Sequence, residues 1–159
     1  MKKAGIITTL ALVATLLGVS PAVGPQGVRL VAEARADAEA KVSVAVIKAT
    51  KSGGVDEKSK KYESVISQVG GYTGFSWVSE LSFAAGLGQT VSKEVAGRKL
   101  AVLVKAMTAD KVTTSVTVVD PNGKEHAVSS STKPGASVVV AARSADGSEA
   151  YLFIVTVRY

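Results

Sequence analysis

The chain has 159 residues, no cysteine, one histidine and a formal net charge of +6 at pH 7. Without cysteine there are no disulfide staples and no thiol chemistry, and a single histidine leaves little for metal binding or a proton relay. Residues 1–36 hold half of the net charge, with Lys2, Lys3, Arg29 and Arg35 against Glu33, and the remaining +3 is too mild to argue for nucleic acid.

Met1-Lys2-Lys3 is a positive start, Ala4–Val19 an apolar run, and Ala34-Arg35-Ala36 a small-x-small end. This is the layout of a secretory signal peptide. The run is shorter than the roughly 20 residues that cross a bilayer. Pro21, Gly24, Pro25 and Gly27 would end a helix just beyond it. The reading is a signal peptide over 1–36, with an earlier cut after Ala22 as the alternative. An uncleaved anchor is the competing reading if the run extends to Val23. Residues 37–159 are then a single exported domain of the periplasm or cell envelope of a bacterium. No cysteine follows the run, so a lipoprotein is excluded.

From Lys41 the pattern has period two, the mark of half-buried strands. Val42, Val44 and Val46 alternate with Lys41, Ser43 and Ala45 and predict a strand near 42–50. After Ser52-Gly53-Gly54, Asp56 is placed to cap a helix over 57–69. Tyr62, Val65, Ile66 and Val69 form its apolar stripe, and Gly70-Gly71 ends it. Residues 72–83 put Phe75, Trp77, Leu81 and Phe83 on one face, with Tyr72, Ser76 and Glu80 on the other. A weaker strand near 89–95 precedes 98–107, which is apolar on both faces and therefore central. Val112, Thr114, Val116 and Val118 alternate over 112–119. Asp120-Pro121-Asn122-Gly123 is the strongest turn, and a polar edge strand follows at 124–131. Strands at 136–142 and 149–158 complete the chain. The fold class is mainly β with one short helix, an antiparallel sandwich or a small partly open barrel.

These pieces resemble a family of small exported proteins common in didermic bacteria and without an established activity. The resemblance rests on Ala49-Thr50-Lys51-Ser52-Gly53-Gly54-Val55-Asp56 before the helix and Tyr72-Thr73-Gly74-Phe75 after it. It continues in Gly97-Arg98-Lys99-Leu100 at a strand start and in the apolar final strand Tyr151–Val157. Ala141-Ala142-Arg143 departs from the family's usual two glycines. The resemblance spans most of 42–158, implies an exported β-rich domain and transfers no functional residue.

His126 lies just after a turn in the polar strand and reads as an exposed spacer rather than a catalytic group. The acids are scattered singly, and those at turns favour local backbone bonding. No catalytic set, metal site or cofactor site is expected, and a hydrolase ranks behind the binding readings. Phe75 and Trp77 read as core, and Tyr72 as an exposed ring able to stack on a sugar. Lys48, Lys51, Lys58, Lys60 and Lys61 form a basic cluster that reads first as a solvated helix face, with contact to anionic lipid, lipopolysaccharide or another surface polymer as the alternative. The alternating Tyr151, Phe153, Val155, Val157 and Tyr159 look like the closing strand of an outer-membrane barrel. Eight spanning strands of about 9–11 residues would, however, consume nearly all of the chain after Gly70. The favoured reading is a non-enzymatic envelope domain that binds another protein by strand addition at 124–131. A carbohydrate or surface-polymer module is the rival, and a membrane-spanning mature form is not expected.

Overall fold

The computed structural model describes residues 39–159. The leader over 1–36 and both of its cut sites lie outside the described residues. Eight strands follow in order: β1 (Glu39–Thr50), β2 (Gly74–Gly86), β3 (Thr90–Val95), β4 (Arg98–Thr108), β5 (Lys111–Val119), β6 (Glu125–Thr132), β7 (Ser137–Arg143) and β8 (Glu149–Arg158). They form two four-stranded antiparallel sheets, ordered β2-β1-β8-β7 and β3-β4-β5-β6. This is the expected sandwich. The two sheets do not join into one ring, so neither a closed barrel nor its membrane-spanning form is the architecture observed. No helix among the described residues is long and apolar enough to cross a membrane.

The alternating valines explain the inner core. Val42, Val44 and Val46 of β1 and Phe153, Val155 and Val157 of β8 point at Leu100, Val102 and Val104 of β4 and at Val112, Val116 and Val118 of β5. β4 is central, as its apolar pattern predicts. β1 departs from expectation, because it is buried on both faces: Ala45, Ile47 and Ala49 belong to a second core on the far side of its sheet. That core holds Leu152 and Ile154 of β8 and is covered by the segment 51–73, chiefly through Ile66.

The covering segment corrects the predicted helix over 57–69. A 3-10 turn (Lys60–Tyr62) leads into a single α-helical turn, α1 (Glu63–Ile66). The apolar stripe is nonetheless used as its spacing dictates, since Tyr62, Val65, Ile66 and Val69 all pack on the second core. The rest of the segment is a succession of single turns, with the Asp56 carbonyl accepting from Ser59 and Lys60 and the Ile66 carbonyl from Val69. Lysines at the helix start oppose its dipole and give no reason for a longer regular run. The segment's return is tight. A Cβ on Gly74 would collide with Thr50 Oγ1 and the Ser52 carbonyl, so only glycine fits there.

A second correction concerns β2. Its pairing with β1 shifts register between Val46 and Ile47, where Val46 faces Ser79 and Ile47 faces Trp77. Val78 is the extra residue of this bulge and stands 39% exposed. The bulge reverses the parity of the strand. Phe75 and Trp77 therefore join the second core, whereas Leu81 and Phe83 pack against the inter-sheet core, so the four do not share a face.

Phe153 is wholly buried between the sheets. Phe153→Ala should destabilise the domain by roughly 3–5 kcal/mol, the transfer loss plus a cavity that valines cannot collapse to fill. Chemical denaturation with an unchanged slope is the check.

Candidate functional site

The most elaborated surface lies where the covering segment meets the edge of β2. Asp56 builds it. Ser59 N–H donates to Asp56 Oδ1 at 2.7 Å, and Trp77 N–H donates to Asp56 Oδ2. The Phe75 N–H donates to the Gly54 carbonyl at 2.9 Å, and the Asp56 N–H to the Phe75 carbonyl at 3.0 Å. One carboxylate thus caps the turn that starts the covering segment and occupies an edge donor of β2. The Trp77 N–H, followed by Ser59, holds the Asp56 carboxyl below its ordinary range.

This clamp sets residues 57–61 beside Trp77. The Tyr62 and Trp77 rings are nearly parallel, at 12° with centroids 6.0 Å apart. Lys61 Nζ stands 4.6 Å from the Trp77 centroid and 5.0 Å from that of Tyr62. Glu80 Oε2 holds that ammonium at 3.1 Å, and this hydrogen bond raises the Lys61 pKa above its ordinary value. A groove of about 490 Å³ runs between the two elements, lined by Glu57, Lys58, Lys61, Trp77 and Glu80.

The sequence-selected residues are only partly brought together. Lys58 and Lys61 border the groove, and Lys60 pairs with Glu57 at 2.9 Å. Lys51 is exposed in the turn after β1. Lys48 lies on the inter-sheet side of β1, paired with Glu149 at 2.7 Å, a contact that raises its pKa. The five lysines are therefore not one patch, and three of them hold a carboxylate. Tyr72 is half-buried on the same second core as Phe75 and Trp77, which corrects its placement on an opposite, exposed face. Sequence reasoning missed the Trp77–Tyr62 pair. Each ring was legible as packing, but their approach depends on the bulge and on Asp56.

His126 is also not the exposed spacer it was expected to be. Its side chain is 15% exposed, and Nε2 lies 3.2 Å from Oδ2 of Asp120, itself 10% exposed. The pair clasps the Asp120–Gly123 turn. Arg98 would extend the same β4–β5 register opposite Asp120, and its guanidinium stacks 3.6 Å from the Tyr151 centroid. Arg98 Nε and Asp120 Oδ1 are buried without partners among the described residues. These groups close one end of the sandwich. Among the described residues no group of three or more His, Asp or Glu is arranged to hold a metal.

The third feature is the β6 edge. β6 pairs with β5 in unbroken register from Val112 opposite Thr132 to Val119 opposite Glu125, and with no other strand among the described residues. Beyond Glu125 its outward side chains, Ala127, Ser129 and Ser131, are small. Ser129 meets Ser115 at 3.0 Å, Ser131 meets Thr113 at 2.6 Å, and Lys105 donates to Ser129 at 3.3 Å. No family model, curated protein or solved structure matches the chain.

Because the Asp56 carboxyl is depressed, its contribution to stability is present above the ordinary carboxylate pKa and fades as pH falls through the folded value. Asp56→Asn should lower the melting temperature by several degrees at pH 7. The gap from the unsubstituted protein should narrow between about pH 5 and pH 2. Thermal unfolding at pH 7 and pH 3 measures both.

Proposed function

We propose that the protein is a non-enzymatic binding domain, exported to the bacterial envelope, that engages another envelope protein by adding a strand to β6. The supporting observation is the state of the sheet edges. β2 is blocked at Phe75–Trp77 by residues 54–56 and is bent by its bulge. β3 is short and carries Lys93 and Glu94. β6 has no bulge, no proline and, from Ala127 to Thr132, no charge. Such an edge presents a regular row of backbone groups, which is the template that strand addition uses. β7 contacts β6 across the sandwich and is likewise an edge strand among the described residues.

Supporting the non-enzymatic reading, the one histidine is committed to Asp120 across a turn. The leader-like first thirty-six residues support export.

In complexes cross-linked in envelope fractions and recovered on the tagged protein, amides of 125–132 should gain exchange protection. Ser129→Lys with Ser131→Lys, on exposed positions, should cut recovery at least tenfold while leaving the circular dichroism unchanged. Protection confined to other strands would overturn the edge assignment.

A further inference from the structure

We infer that the groove beside Trp77 is a saccharide site that takes a neutral, hydroxyl-rich ring on an aromatic floor. The inference goes beyond the β6 reading, since β2 belongs to the other sheet.

Three observations carry it. The first is the floor. Trp77 lines the groove and is half-buried, so its back rests on the second core; Tyr62, outside the lining, stacks on it within 12° of parallel and fixes its orientation. Flat rings with an apolar face and a polar fringe suit the C–H side of a pyranose. The second is the rim. Glu57 and Glu80 supply acceptors, Lys58 and Lys61 supply donors, and these four charges cancel, with Lys60 adding one positive charge behind Glu57. A rim of mixed and nearly balanced sign does not favour a strongly anionic or cationic ligand, whereas interleaved donors and acceptors match neighbouring hydroxyls. The third is room. The groove, at about 490 Å³, falls within the size range of small-ligand sites. Two other cavities among the described residues lack this combination, since neither the hollow at Lys41 and Ser82 nor the one beside Asp120 and Pro121 includes a Trp or Tyr ring.

Lys61 refines the picture. Its ammonium stands over both rings, where the sugar's C–H face would go, and Glu80 holds it there. An exposed cation–π contact of this kind is weak. A ligand that covers the rings displaces it at modest cost, and the freed ammonium becomes a donor at the ring's edge. The saccharide role that the sequence suggested for Tyr72 thereby moves to Trp77, with Tyr62 as its support.

Trp77 is the only tryptophan of the chain, so its fluorescence reports on the floor directly. The experiment titrates the processed full-length protein with chitotetraose and maltotetraose, and with a sulfated tetrasaccharide and tetralysine as charged comparisons. A saturable change with a neutral tetrasaccharide is expected, weakened at least fivefold in Glu57→Gln/Glu80→Gln, whose exposed substitutions leave the core untouched. The same affinity in that variant would overturn the site, as would saturation only with the charged probes. No response to either neutral probe, with fluorescence still quenchable by iodide, would also overturn it. The β6 variant Ser129→Lys/Ser131→Lys should bind the sugar unchanged, which separates failure of this site from failure of the edge.

Discussion

The structure depends on one constraint: the sheet β2-β1-β8-β7 is apolar on both faces. Val42, Val44 and Val46 satisfy one face against the opposite sheet, but Ala45, Ile47 and Ala49 leave a second apolar surface continued by Leu152 and Ile154. Burying each large side chain is worth about 1.5–3 kcal/mol, so that surface cannot stay bare. The segment 51–73 exists to cover it. Its sequence keeps a helical stripe of Tyr62, Val65, Ile66 and Val69 although its backbone forms only single turns. Packing of the stripe, rather than helix length, holds it down.

The same constraint explains what could be read from the residues alone. Strands at 112–119 and 149–158, the turn at Asp120–Gly123 and the edge position of 124–131 were legible, because alternation and turn chemistry act locally. The faces of 72–83 were not. Phe75, Trp77, Leu81 and Phe83 keep one parity throughout, and nothing local marks Val78 as an inserted residue. The bulge arises because β2 must serve both cores, placing Trp77 opposite Ile47 on one side and Ser79 opposite Val46 on the other. His126 was misjudged for a related reason. A polar edge strand still turns alternate residues inward, and Asp120 supplies the partner that makes half-burial tolerable there.

Edges show how the sheets are kept apart from unwanted partners. β2 is covered by backbone at Phe75, filled by a carboxylate at Trp77 and bent at Val78. β3 relies on brevity and charge. From Ala127 to Thr132 β6 has none of these, and its outward hydroxyls pair with those of β5.

Asp56 joins the fold to the proposed groove. Its two oxygens accept from Ser59 and Trp77, groups on different elements, and in doing so fix the distance between the covering segment and β2. The groove is the gap left at that distance. Its floor is held from behind by the second core and its walls from the side by Glu57–Lys60 and Glu80–Lys61. Exposed pairs of this kind add little to stability, about 0–1 kcal/mol each. Their value lies in holding charged groups in balance around an aromatic surface that would otherwise attract any apolar partner. The residues that cover the second core therefore also shape a polar cleft, and the sheet carrying the open β6 edge plays no part in it.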